Sequence, residues 1–247
     1  MSQENSKPSV PSIVTQPGEE PSEGVPTGLQ ELATTDKLTI TQLIQLEEVL
    51  LNYEANNKYV VKNDKGEQIY YVFEESSCLQ RQCCGPHRGF VIHIVDSSNN
   101  EVMRVTRPFK CCGGCCYGIM ACCDCCRREC QVDAPPGRQI GSLKQRLACC
   151  ASSLDVKDVQ DNQLLTIHGP YCCLACGCRD INFRVTAPTM GKIGKITKRW
   201  SGCVREALTD ADVFSVSFPM DLDVATKALL LAAALLIDFM EFEQSKQ

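Results

Sequence analysis

The stretch 225–242 constrains this chain more than any other. It is made of strong helix formers, with no Gly or Pro. Ahead of it, Asp221 is a good N-cap and Asp223 lies in the first turn, where negative charge suits the helix dipole. A helix over 222–243 would be about 33 Å long, enough to cross a bilayer. Charge placement points elsewhere. Lys227 and Asp238 bracket an uninterrupted apolar run over 228–237 only, and a run of that length is more often a buried core helix than a spanning one. Apolar residues cover nearly every side, so something must enclose the helix. Either a barrel of short strands surrounds it, or it anchors in a membrane with Lys227 snorkelling and Asp238 and Glu241 at the interface. Exchange between the two states is a third arrangement.

The rest of the chain supplies strands for such a barrel. Lys58-Tyr59-Val60-Val61-Lys62, the turn Asn63-Asp64-Lys65-Gly66 and Gln68-Ile69-Tyr70-Tyr71-Val72-Phe73 read as a hairpin. Phe90 to Val95, the polar turn 96–100 and Val102 to Val105 read as a second. The runs 164–167, 181–185 and 193–197 follow the same style. Many short strands at regular spacing predict a mainly β fold, an antiparallel barrel or sandwich. Residues 38–55 mix signals: Leu43, Leu46, Leu50 and Leu51 have helical spacing, while Leu38, Ile40 and Ile44 do not extend it. A short helix is expected near 204–208. The two halves echo each other faintly, without amounting to a repeat.

Residues 1–28 are rich in Pro, Ser, Glu and Gly and predict a disordered arm. The remainder, 29–243, reads as one domain, followed by a short tail at 244–247. Pro8 and Pro11 form a PxxP that an SH3 domain can dock. Met1-Ser2-Gln3-Glu4-Asn5-Ser6-Lys7 has no apolar core of a signal peptide. The nineteen cysteines are therefore not expected to form a disulfide framework. Many sit as doublets, and 111–130 is the densest stretch. Two chemistries compete there. Several clustered thiols suit multiple S-acylation, which anchors where one chain would not, and Arg127 and Arg128 would attract anionic headgroups. Alternatively, Cys112/Cys115 and Cys122/Cys125 have the gap of a zinc knuckle.

An acidic segment stands directly before the terminal helix. Asp210, Asp212 and Asp221 occupy positions 1, 3 and 12 of a cation loop, but Phe214, Ser215 and Asp221 stand where an EF-hand needs an oxygen donor, a Gly and a Glu. Phe214, Val216 and Phe218 instead alternate like a strand. The segment is either a final strand with acidic ends or a weak calcium site. The basic stretch 194–202 holds Lys195, Lys198, Arg199 and the only Trp, Trp200. It suits an import receptor, nucleic acid or lipid headgroups, or is an amphipathic strand with solvated lysines. A net charge of −5 leaves no global footprint for nucleic acid. His87, His93 and His168 have no obvious nucleophile partner, so an enzyme is not expected.

Short motifs in order then carry a family resemblance: Glu54-Ala55-Asn56-Asn57-Lys58-Tyr59, Cys83-Cys84-Gly85-Pro86, Arg107-Pro108, Ala134-Pro135-Pro136-Gly137, Gly194-Lys195-Ile196, Arg205-Glu206-Ala207, Thr209-Asp210-Ala211-Asp212, Phe218-Pro219-Met220-Asp221-Leu222-Asp223-Val224 and Leu236-Ile237-Asp238-Phe239-Met240. Over 28–243 the chain resembles the phospholipid scramblase family. The resemblance implies a Tubby-like fold, a closed antiparallel β-barrel around a hydrophobic C-terminal α-helix. It implies calcium-triggered, ATP-independent movement of membrane phospholipids between leaflets. It also implies a cytosolic body attached to the plasma membrane, through palmitate or a single pass, with the nucleus as a second location. The family's calcium segment maps onto Asp210, Asp212, Phe214, Val216, Phe218 and Asp221. Its palmitoylated cluster maps onto Cys122, Cys123, Cys125 and Cys126, and its import signal onto Lys195, Lys198, Arg199 and Trp200. The chain departs from the family in a short Pro-rich arm, which weakens SH3 and WW partners, and in a longer cysteine loop. One helix with one Lys and one Asp cannot line a path for headgroups, so scrambling would need a homo-oligomer or release of the helix. The competing expectation is a lipid-anchored adaptor that flips no lipid.

Overall fold

A computed structural model of the chain describes residues 25–43, 57–76, 88–109, 127–146, 151–171, 179–200 and 212–242. The strands are β1 (Lys37–Leu43), β2 (Lys58–Lys62), β3 (Gln68–Glu75), β4 (Phe90–Val95), β5 (Glu101–Arg107), β6 (Glu129–Asp133), β7 (Gln139–Gln145), β8 (Ala151–Lys157), β9 (Gln163–Tyr171), β10 (Ile181–Ala187), β11 (Gly191–Arg199) and β12 (Val213–Ser217). Each pairs antiparallel with its sequence neighbour, and β12 pairs back onto β1, so the twelve strands close a barrel. Closure removes the edges that an open sheet would expose. The barrel surrounds a C-terminal helix, as expected. The hairpins at 58–73 and 90–105 form as read, and the later runs become β9, β10 and β11. The ambiguous stretch from residue 38 starts as strand β1. The leucines at 46, 50 and 51, the helix expected near 204–208 and the 244–247 tail lie outside the described residues.

The barrel has two unlike ends. At one, which we call the turn end, the connections 63–67, 96–100, 134–138 and 158–162 are built alike. In each, the fourth residue has positive φ: Gly66 at 82°, Asn99 at 62°, Gly137 at 89° and Asp161 at 66°. A register shift follows at the adjoining strand pair. In 63–67, 96–100 and 158–162 this is the type I turn with a bulge that three-residue hairpin loops favour, whereas at 134–138 the Arg138 N–H donates to the Pro135 carbonyl at 3.0 Å. Asp96 accepts from the backbone N–H of Ser98 and Asn100, each at 2.8 Å, and Asp158 does the same with Gln160 and Asn162. At the other, the loop end, the connections 44–57, 76–89, 108–128, 172–180 and 200–212 are longer.

Helix α2 (Val224–Ile237) enters from the turn end and fills the barrel. Its residues 226–237 are all buried. Leu229, Leu230, Leu231, Leu235, Leu236 and Ile237 are at most 1% exposed, each side chain contributing roughly 2 kcal/mol of burial. The wall meets them with inward residues at alternate positions, among them Leu38, Ile40, Ile92, Ile94, Val132, Leu143, Ile196 and Val216. At Gly141 the wall comes so close that a Cβ would lie 2.9 Å from the Leu229 side chain and 2.3 Å from the Lys157 carbonyl. Only a glycine fits there.

The helix differs in detail from the expectation. Its N-cap is Asp223, whose carboxylate accepts from the Thr226 N–H at 3.0 Å and its hydroxyl at 3.3 Å. Asp221 is not the cap, because the Leu222 N–H bonds back to the Pro219 carbonyl at 3.2 Å and closes a turn that leaves Asp221 exposed. The α-helix ends at Ile237, and Asp238–Phe242 continues as a single π turn. At 1.5 Å per residue the fourteen α-helical residues span about 21 Å, against a hydrocarbon core of about 30 Å. No helix among the described residues is long and apolar enough to cross a membrane, so the single-pass anchor finds no support in them.

Both charges that bracket the apolar run are satisfied inside the protein. Lys227 is fully buried. Its Nζ donates to the carbonyls of Leu32 at 2.9 Å, Ala33 at 3.4 Å, Thr35 at 2.9 Å and Met220 at 2.8 Å. The first three belong to the short helix α1 (Gln30–Ala33) and the turn after it, which close the turn end. Leu29 and Leu32 are fully buried beneath α2. The plug begins before residue 29, since the Tyr70 hydroxyl donates to the Gly28 carbonyl at 3.0 Å. Desolvation pushes the Lys227 ammonium below the ordinary lysine value, and Asp36, Asp221 and Asp223 oppose that push. At the far end, Asp238 accepts from the buried Tyr59 hydroxyl at 2.6 Å.

Two stability measurements follow. Lys227→Met keeps the apolar stem but strands the carbonyls it held, and should lower stability in urea by about 3 kcal/mol; a loss under 1 kcal/mol would show that the ammonium is not the latch. Tyr59→Phe should cost about 1–3 kcal/mol by removing the buried hydrogen bond to Asp238. In a double-mutant cycle with Asp238→Leu the double variant should be more stable than the two losses predict, whereas strict additivity would sever the pair.

Candidate functional site

At the loop end the inward alternation of the strands runs into polar residues. Along β3, Tyr70 and Val72 are followed by Glu74; along β5, Met103 and Val105 by Arg107; along β7, Leu143 by Gln145; along β11, Gly194 and Ile196 by Lys198. These groups lie around the last turn of the helix, and each contacts neighbouring side chains or backbone. Arg88 bonds Glu74 through Nε at 2.9 Å and through its terminal nitrogen at 2.8 Å. The other Glu74 oxygen accepts from Asn57 at 2.6 Å, and Asn57 accepts from Gln42 at 3.0 Å. Arg88 also lies over the Phe239 ring, 5.5 Å from its centroid, and Arg107 lies 5.0 Å over Phe90. Arg128 donates to the Met240 carbonyl at 3.4 Å. Burial lowers its pKa, and Glu241 opposes the shift. Three buried arginines therefore ring this mouth. Sequence reasoning overlooked Arg88 and Arg107 in this role, although polar residues at the inward phase of a strand were a visible signal, and it assigned Arg128 to anionic headgroups, whereas its side chain is buried against the Met240 carbonyl.

The acidic segment becomes β12. Phe214, Val216 and Phe218 point into the core, at 5% exposure or less, and offer no side-chain oxygen. The β12 backbone pairs with β1 on one side and β11 on the other. Asp212 and Asp221 lie beyond opposite ends of this five-residue strand, about 17 Å of extended chain, so their carboxylates cannot share one ion. Asp212 is at the loop end, where its Oδ1 lies 2.7 Å from the Lys198 Nζ. Asp221 is exposed at the turn end, where its charge acts on Lys227. Asp210 lies outside the described residues. No group of three or more His, Cys, Asp or Glu suited to a metal ion occurs among the described residues.

The basic segment is divided by the same alternation. Lys195, Arg199 and Trp200 are exposed. Lys198 instead turns inward, with its Nζ 3.8 Å from the centroid of Phe242. The segment is a strand paired on both sides, so a receptor would meet exposed side chains rather than a free extended peptide. His93 lies on the outer wall between Glu101 at 2.7 Å and Glu75 at 3.1 Å, stacked on Phe73. His168 contacts the Thr186 hydroxyl at 3.2 Å. Cys112, Cys115, Cys122, Cys123, Cys125 and Cys126, the candidates for palmitate or zinc, lie outside the described residues, as do Pro8, Pro11 and His87. Cys130 is described and is buried in β6.

The closed barrel with an enclosed helix can be set beside known proteins. The Scramblase family model matches residues 15–244. Phospholipid scramblase 1 of Homo sapiens is 39% identical over 231 residues, covering 93% of this chain and 70% of that protein. Phospholipid scramblase 2 of Bos taurus is 40% identical over 223 residues, covering 90% and 73% respectively. Phospholipid scramblase family member 5 of Homo sapiens is 37% identical over 227 residues, covering 91% and 80%. No solved structure matches the chain. With a family model spanning nearly its whole length and relatives of this similarity, the chain belongs to the phospholipid scramblase family.

Proposed function

We propose that this protein moves phospholipids between membrane leaflets in both directions, triggered by calcium and without ATP, from a barrel attached to the membrane by palmitate. The observation that carries the reading is the match to the Scramblase family across 15–244. Flip-flop is slow because a polar headgroup must enter hydrocarbon without partners. With α2 enclosed, no described helix lines a path for headgroups. The chain would instead act from the surface, by thinning or disordering lipid, or in an oligomer. This is transport and not covalent catalysis.

The palmitate would sit on Cys122, Cys123, Cys125 and Cys126, since several acyl chains anchor where one does not. Calcium fits the described part of β12 only in part. Two carboxylates separated by a strand do not make one site, so an ion would be held at the Asp210–Asp212 end or beside Asp221, not by both. At the first of these, Lys198 already neutralises Asp212. Calcium there would add two further positive charges next to that pair. An import receptor, if one binds, would meet Lys195, Arg199 and Trp200.

A second reading has its own support. The burial of α2 over residues 226–237 favours a lipid-anchored regulator that flips no lipid.

Reconstitution separates the two. The purified full-length protein goes into vesicles with fluorescent lipid, without ATP, and a membrane-impermeant reductant is added. Bleaching should pass beyond the outer-leaflet half only with calcium. Asp210→Ala should abolish the response if calcium sits at the loop-end side of β12, and Asp221→Ala if it sits at the turn end. Bleaching that stops near half under every condition in unleaky vesicles would leave the regulator.

A further inference from the structure

The two ends of the barrel differ in charge and in what they expose. At the loop end Arg146 is 49% exposed at its side chain, with one terminal nitrogen 3.9 Å from the Asp155 carboxylate, and Arg179 and Arg199 are exposed as well. Among the described acids of this end, Glu74 is paired with Arg88 and Asp212 with Lys198; Asp238 and Asp180 keep their charge while bonded to the Tyr59 hydroxyl and the Trp200 N–H, and Glu75 is exposed beside His93. At the turn end Asp36, Asp64, Asp161, Asp221 and Asp223 are exposed. Lys157, paired with Asp161 at 2.8 Å, and Lys37, Lys62, Lys65, Arg138 and Lys192 offset only part of that charge. Asp96 and Asp158 add to it, since hydrogen bonds from Asn100 and Asn162 hold their carboxyls below the usual range. Among the described residues the loop end is therefore the more positive of the two, so a negatively charged surface favours it over the turn end.

Exposed apolar side chains occur at both ends, so they do not choose between them. Val159, Met190 and Met220 are at the turn end, Phe109 and Trp200 at the loop end. The placement of the last two is informative. Phe109 follows β5 and Trp200 follows β11, and these strands are six apart in a ring of twelve. The two aromatics thus stand on opposite sides of one mouth. A flat surface that touches both must lie across the barrel axis. Aromatic residues flanked by arginines suit the interface of a lipid bilayer. The sequence adds a separate observation. Every cysteine except Cys130 falls in a connection that leaves and re-enters the barrel at this same end.

We propose that the barrel docks end-on against an anionic lipid surface through its loop end, with Phe109 and Trp200 entering the interface and Arg146, Arg179 and Arg199 facing the headgroups. The proposal deepens the function given above and rests on its membrane attachment. It places the turn end, with α1 and the Lys227 latch, farthest from the lipid.

Trp200 is the only tryptophan in the chain, so the protein carries its own probe. The full-length protein is mixed with phosphatidylcholine vesicles, with or without about a third phosphatidylserine, whose acyl chains are brominated to quench indole emission. A second protein, Trp200→Phe with Met190→Trp, puts the probe at the turn end, on a residue already 72% exposed. Co-sedimentation matches the bound fractions, and far-UV circular dichroism checks the fold. Trp200 should be quenched several-fold more than the turn-end probe in serine-containing vesicles. Arg179→Glu with Arg199→Glu should lower binding about tenfold or more and flatten its salt dependence. Equal quenching at the two ends, stronger quenching at position 190, binding indifferent to the charge reversal, or no binding to anionic vesicles would each overturn the proposal. Oriented docking without lipid flux would sink the scrambling reading alone, and flux with turn-end docking would sink the orientation alone.

Discussion

Everything else in this structure depends on enclosing a helix that is apolar on every side. Such a helix has no solvated face, and its two charges would be costly to bury bare. Lys227 solves the problem at one end by holding carbonyls from α1, from the turn after it and from the segment before α2. The loss on desolvating one ammonium, several kcal/mol, is smaller than the gain from burying six Leu and Ile side chains at roughly 2 kcal/mol each. The same ammonium also decides which segment closes the turn end, because its partners are fixed backbone oxygens. Tyr59 and Asp238 fix the other end, so the depth of the helix is set twice.

Much of this was legible from the letters. The hairpins announced themselves through alternating runs and through turns such as Asn63-Asp64-Lys65-Gly66, where a glycine supplies the positive φ. Lys227 and Asp238 bounded an apolar run too short to span a bilayer, and enclosure by strands follows from that. Phe214, Val216 and Phe218 showed a strand with acidic ends, which β12 is. The N-cap was misread because Asp221 and Asp223 are chemically equivalent, and only the turn back to Pro219 decides between them. Leu43 had helical spacing with the leucines after it, yet pairing with β2 and β12 makes its segment a strand. The plug formed by Leu29 and Leu32 is a long-range contact with no local pattern to betray it.

The candidate functional residues separate along the same line. Alternation in β11 sends Lys198 inward to Asp212 and Phe242 while Lys195 and Arg199 remain outside. A linear basic motif is therefore split into a structural cation and a surface patch. The acidic segment is split in another way, by the length of a strand. In both cases the residue types were visible, and the division came from the pleat.

The order of elements has a consequence for how the chain is made. The core-filling helix follows all twelve strands, and the contact that closes the turn end joins Leu32 to Lys227 across 195 positions. While the chain is being synthesised, the strands emerge with a continuous apolar inner face and nothing to place against it. Pairing of β12 with β1 cannot complete a filled barrel until α2 has left the ribosome. The decisive step of folding thus waits for α2, and the nascent sheet is the stage at which aggregation and chaperone capture compete.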